Sequence, residues 1–168
     1  MESIYDIYVV EKSGIPVFAG CTATDYCKLH MDQHELQSGF LAAMYNFSKE
    51  TFKDSTLRTI NFDDITISMK SDETGGIILV FIHPVRINPK IMDAKLTKAL
   101  EVFMSNFFPK LDPNTIDPGL FELYKDELRE LRIIPPGMMN TMMQQKPLDI
   151  YKDQKPSLFR WLKSKLFN

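Results

Sequence analysis

Residues 77–83 read IILVFIH, apolar at every position but the last. A strand with one wet face alternates apolar and polar side chains, whereas one that is apolar throughout is covered on both faces. The stretch therefore predicts a central strand with packed material above and below it, ended by Pro84. Just upstream, SDETGG (71–76) is made of turn residues, and ITISMK (65–70) precedes it. There Ile65, Ile67 and Met69 alternate with Thr66, Ser68 and Lys70, the mark of a strand with one buried and one wetter face. TLRTINF (56–62) precedes that strand, with Asp63 and Asp64 between the two. Three strands joined by such short turns form consecutive hairpins, so the sheet is antiparallel.

The N-terminus adds two more strands. IYDIYVV (4–10) is β-branched and aromatic, EKSG (11–14) ends in a glycine suited to a turn with positive φ, and IPVFAG (15–20) returns. IYDIYVV joins IILVFIH as a candidate central strand. Between the two sets of strands the period changes. In ELQSGFLAAMYNFSKETF (35–52), Leu36, Phe40, Ala43, Met44 and Phe47 recur at helical spacing. These predict one amphipathic helix over roughly 34–53, with that stripe packed on the sheet and Gly39 allowing close approach. After the sheet, Asn88 and Pro89 start a second helix whose buried face is Met92, Leu96, Ala99, Leu100, Phe103 and Phe107, with Pro109 as its stop. Asp117 and Pro118 start a third, with Leu120, Phe121, Tyr124, Leu128 and Leu131 on one side and Pro135–Pro136 closing it. The fold class is α+β: a five-stranded antiparallel sheet with helices on both faces, in the order ββαβββαα, followed by a C-terminal arm and short helix.

Composition narrows the function. The chain has 168 residues, a formal net charge of −2 and two cysteines. No basic stripe runs through the body, so nucleic acid is not an expected partner. The longest apolar run, IILVFI, is too short to span a membrane. With no charged-then-apolar leader and no disulfide framework, the expected location is the cytoplasm.

Three features invite a site. CTATDYCKLHMDQH (21–34) brings Cys21, Cys27, His30 and His34 into one loop, ligand types that suit zinc. Its Cys-x5-Cys spacing is looser than the two to four residues of a usual zinc turn, and no metal is expected there. HELQS (34–38) has Ser38 where a metalloprotease helix needs a second histidine, and no glycine-rich phosphate loop is present. His83 reads as a strand-end residue rather than a base, and no nucleophile, base and orienting group stand together; neither catalysis nor a cofactor is expected. The third feature is the C-terminus. A Met- and Pro-rich arm (135–156) carries Met138, Met139, Met142 and Met143, adaptable contacts for a partner. A short amphipathic segment (157–168) follows, with Leu158, Phe159, Leu162 and Leu166 in one arc, Trp161 at its margin, and Arg160, Lys163 and Lys165 as its charges. Such a segment docks on its own domain, enters a partner's groove, or rests weakly on an anionic membrane.

In VVEKSGIPVFAG, LQSGFLAAMYNFSKETF, TINFDDITISMK and IILVFIHP, over roughly residues 4–134, the chain resembles the longin domain. That domain belongs to the profilin-like group that includes roadblock proteins, and the chain also resembles, in detail, small longin- or roadblock-like proteins of archaea. The resemblance implies a longin-like domain over 1–134 and a non-enzymatic scaffold. Its implied partners are a second copy or a related longin or roadblock subunit, and a small GTPase or membrane-traffic-like complex. It implies no cofactor, and at the Cys/His loop a plain strand-to-helix connection. The rival readings are a metal-binding regulatory protein using that loop and a peripheral membrane module using the C-terminal segment.

Overall fold

The computed structural model describes residues 4–21, 34–53, 55–111 and 118–140. Strands β1 (Asp6–Glu11) and β2 (Pro16–Cys21) form the first hairpin. Gly14 turns it at φ +93°, the left-handed conformation that the EKSG reading requires. Helix α1 (His34–Thr51) follows, then β3 (Thr59–Asn61), β4 (Ile65–Ser71) and β5 (Ile77–Pro84). Helix α2 (Pro89–Val102) runs into a π-helical turn over Phe103–Phe107 and a 3-10 turn over Phe108–Lys110; helix α3 (Pro118–Glu130) is the last helix among the described residues. With a last short strand, β6 (Met139–Asn140), the strands lie in the order β3-β4-β5-β1-β2-β6, every pairing antiparallel.

β5 and β1 sit centrally, as their composition predicts, and all eight residues of β5 are buried. The hairpin between β4 and β5 is held by Asp72, whose carboxylate accepts from the N–H groups of Thr74 and Ile77 and from the Thr74 hydroxyl. Partial burial pushes this carboxyl up, but those bonds outweigh it and leave its pKa below the ordinary value.

One face of the sheet carries α2 and α3. Ile7, Val9, Leu79 and Phe81 meet Met92, Leu96, Phe103 and Leu128 there. Tyr124 is fully buried, with the rings of Phe18, Phe103 and Phe107 at 5.1–5.4 Å and its hydroxyl donating to the Ala99 carbonyl at 3.0 Å. The opposite face carries α1, packed over β1 and β2. Tyr8, Val10, Val80 and Ile82 meet Leu41, Ala42 and Tyr45 on that side.

The expected third-helix face needs one correction. Leu131 is exposed, because α3 ends before it. Arg132 takes φ +54°, its N–H bonds the Arg129 carbonyl at 2.9 Å, and the Ile133 N–H bonds the Leu128 carbonyl at 2.9 Å. This left-handed cap turns Leu131 out and drives Ile133 and Ile134 into the core in its place.

The ordered fold also continues past residue 134. Met138 is 1% exposed within the core, and Met139–Asn140 form β6, paired with Cys21 and Gly20 of β2. Arg129 anchors this return, with one guanidinium nitrogen 3.1 Å from the Met138 carbonyl and another 2.6 Å from Asp126. The sheet therefore has a sixth, two-residue strand beyond the five expected.

Candidate interaction surface

Helix α1 is rotated away from the orientation its hydrophobic stripe predicts. The residues facing the sheet are Ser38, Leu41, Ala42, Tyr45 and Ser48. The expected inner stripe points to solvent: Leu36 is 75% exposed, Phe40 55% and Phe47 59%, with Ala43 exposed and Met44 half-buried. Two local causes fix this rotation. The sheet beneath is already filled by Tyr8, Val10, Val80 and Ile82, so a close approach favours the small side chains Ser38, Ala42 and Ser48.

The polar groups of that same side then find partners. Ser38 donates to the Gly14 carbonyl at 3.2 Å, and Ser48 donates to the Tyr45 carbonyl at 2.7 Å and accepts from the Leu57 N–H at 2.9 Å. The Tyr45 and Ser71 hydroxyls share a bond at 2.5 Å, and Tyr8 donates to the Gln37 side chain. Asn46 donates to the Lys12 carbonyl at 2.8 Å. Turning the stripe inward would break these bonds and leave a buried group beneath the helix, the Tyr8 hydroxyl, without its Gln37 partner, at about 1–3 kcal/mol.

Gly39 is likewise not the residue that needs to be glycine. A Cβ built there meets nothing within 4 Å, whereas one on Gly14 would lie 3.1 Å from the Gly39 Cα. The close approach is thus made by the turn between β1 and β2, not by the helix glycine.

What remains outside is a helix face with two phenylalanines and a leucine in water. A phenylalanine offers roughly 200 Å², so the three side chains expose on the order of 300 Å². That is the size of the largest, commonly functional, apolar patch on a monomer.

The other residues singled out from the sequence fall elsewhere. Met138 is buried in the core, where the Arg129 anchor and the left-handed cap fold the chain back over the sheet. Met139 enters β6. Met142, Met143, Leu158, Phe159, Trp161, Leu162 and Leu166 lie outside the described residues, as do Cys27 and His30 of the Cys/His loop. Cys21 is buried in β2, its backbone opposite Asp6 on one side and Met139 on the other, and His34 is the first residue of α1. Among the described residues no group of three or more His, Cys, Asp or Glu is placed to hold a metal. Nor is any helix among them long and apolar enough to cross a membrane.

His83 and Ser68 form a pair the sequence did not suggest. The His83 Nδ1 lies 3.0 Å from the Pro84 carbonyl, which can only accept, so Nδ1 carries the hydrogen. Nε2 then accepts from the Ser68 hydroxyl at 2.8 Å. A nucleophile and its base use the same bond, but here both residues are buried, 5% and 2% exposed, and no substrate reaches them. Burial lowers the His83 pKa, partly countered by the Pro84 bond, and the pair serves to satisfy polar groups of two neighbouring strands. A polar cleft of 430 Å³ opens at the β4 edge beside Tyr45, Arg58, Lys70 and Asp93. Lys70 is committed there to Asp93 at 3.3 Å and to Thr97 at 2.5 Å.

The architecture is an antiparallel sheet with α1 on one face and α2 and α3 on the other. Among solved structures the chain is similar to the Roadblock/LC7 domain from Streptomyces avermitilis, at 11% identity over 61% of this chain and 86% of that one, TM-score 0.45. It is also similar to Myxococcus xanthus MglB, at 14% identity over 67% of this chain and 83% of that one, TM-score 0.49. No protein-family model and no curated protein matches the sequence.

Proposed function

We propose that this chain is a non-catalytic, cytoplasmic pairing module that joins a second copy of itself, or a related longin or roadblock subunit, through the outward face of α1. The observation that carries this reading is the stripe of Leu36, Phe40 and Phe47, held in water by a helix whose other face is locked to the sheet. β3, at the sheet edge, offers only three residues for strand pairing, so the side-chain stripe is the larger surface. A small GTPase or membrane-traffic-like complex, implied by the family resemblance, is the partner that such a pair would serve.

Sedimentation equilibrium over a range of concentrations tests the pairing, on the chain and on Phe40→Glu/Phe47→Glu. The expected result is a concentration-dependent dimer that becomes a monomer in the double variant, with unchanged circular dichroism. A dimer that survives both charges would remove α1 from the interface.

A further inference from the structure

We infer that the cleft at the β4 edge is a binding site for a small molecule carrying an oxyanion, a phosphate or a carboxylate group. Tyr45 reaches this cleft from the sheet side of α1. The site is therefore separate from the outward stripe of that helix, and it is tested separately from pairing.

The cleft exists because the chain beside β4 stops short. β4 runs to Ser71, whereas β3 begins at Thr59, opposite Ser68. One residue earlier, the Arg58 carbonyl accepts from the Met69 N–H at 2.8 Å. The chain before Arg58 leaves for α1, where the Leu57 N–H bonds the Ser48 hydroxyl at 2.9 Å. Along an antiparallel strand, alternate residues turn their N–H and C=O to opposite neighbours. Met69 turns to the β3 side, so Ser71, two residues on, presents its N–H to the same side, past the end of its neighbour.

Other donors converge on that open edge. The Ser71 and Tyr45 hydroxyls share one bond at 2.5 Å, which uses one of their two hydrogens and leaves the second to donate. The Lys70 ammonium gives hydrogens to Asp93 and Thr97 and keeps a third. Arg58 is exposed in the lining, and its guanidinium has no hydrogen-bond or ion-pair partner among the described residues.

The carboxylates nearby are already engaged. Asp93, in the lining, is paired with Lys70, so the lining keeps an excess of one positive charge. Asp72, next after Ser71, turns its carboxylate into the hairpin, onto the N–H groups of Thr74 and Ile77. The Lys49 ammonium lies against that hairpin, 2.6 Å from where a Cβ on Gly75 would stand. Free donors with a surplus cation favour an anion, and a guanidinium fits the paired oxygens of carboxylate and phosphate alike. At 430 Å³ the cleft exceeds what a bare ion fills and falls within the roughly 300–1,000 Å³ of small-molecule sites. Leu57 and Met69 supply an apolar wall for the rest of the molecule.

The full chain, labelled with nitrogen-15, is titrated with sodium phosphate and separately with sodium acetate, at one pH and at constant ionic strength set with sodium chloride. Saturable shifts of the Ser71 amide and the Arg58 side-chain N–H are expected, at roughly millimolar ion because so few atoms make contact. The ion that binds more tightly identifies the head group. Arg58→Gln keeps the backbone bond to Met69, so a well-dispersed spectrum is expected, with binding weakened roughly tenfold by loss of a charge-assisted hydrogen bond. Arg86→Gln removes an equal charge just past the other end of β5 and is expected to bind as the unaltered chain does. Shifts that never saturate with either ion, or that sodium chloride alone reproduces, would overturn the site. Equal affinity in Arg58→Gln, or equal loss in Arg86→Gln, would overturn it as well.

Discussion

Leu41 and Phe40 are sequence neighbours of α1, one buried and one exposed, and alanine at each separates the two orientations of the helix. Leu41 is 2% exposed beneath the sheet face formed by Tyr8, Val80 and Ile82. Truncating a buried leucine removes its transfer energy and leaves a cavity, a loss of about 2–5 kcal/mol. Phe40 is 55% exposed. Full burial of a phenylalanine is worth up to about 3 kcal/mol, and less than half of this one is covered, so at most about 1.4 kcal/mol is at stake. Alanine also exceeds phenylalanine in helix propensity by roughly 0.5 kcal/mol, which offsets part of that. Urea unfolding at low protein concentration should therefore show Leu41→Ala losing about 3 kcal/mol and Phe40→Ala less than about 1 kcal/mol. As concentration rises into the pairing range, the cost of Phe40→Ala should grow, since partner binding stabilises only the folded state. Equal losses at the highest dilution would refute the rotation of α1 and every inference built on it.

Other substitutions probe the neighbouring contacts. Gly39→Ala should raise the melting temperature by the equivalent of roughly 0.5–1 kcal/mol, since its Cβ meets open space in a helix. Gly14→Ala should lower it by about 1–3 kcal/mol, because φ is +93° and the new Cβ would press on the Gly39 Cα. Arg129→Ala should release β6; hydrogen exchange at the Met139 and Asn140 amides is expected to quicken well before that of β5, and unchanged rates would deny Arg129 its anchoring role. His83, with its pKa lowered by burial, stays neutral in the fold at a pH where the unfolded chain already binds a proton. The unfolded state thus holds more protons below its pKa of 6.5, so stability should fall as pH drops from 6.5 towards the folded pKa and stay level above it. His83→Gln should flatten that slope, measured as the difference between the two unfolding curves.

The sheet was legible because its signals are of one kind. An unbroken apolar run such as 77–83 has only one place in a layered fold, and turn residues fixed the order of the strands around it. The ends of α3 and the return of Met138 were not legible. They depend on a single residue in left-handed backbone, Arg132, and on a guanidinium reaching a carbonyl nine residues away. Neither leaves a periodic trace.

The inversion of α1 has a more general cause. Hydrophobic periodicity reports which face of a helix avoids water, and not which surface will cover it. For α2 the covering surface is the chain's own sheet, and the stripe of Met92, Leu96 and Leu100 is buried as read. For α1 the sheet is already filled by large residues and takes up a face of serine and alanine, tied down by hydrogen bonds from Ser38, Tyr45 and Ser48. The large apolar face is then left over. A helix with one face small and hydrogen-bonded and the other large and apolar has two partners to satisfy, and the described residues supply one of them. The candidate site was thus visible in the sequence as a set of residues, Leu36, Phe40, Ala43, Met44 and Phe47. Its direction became apparent only when the polar residues between them were given their partners.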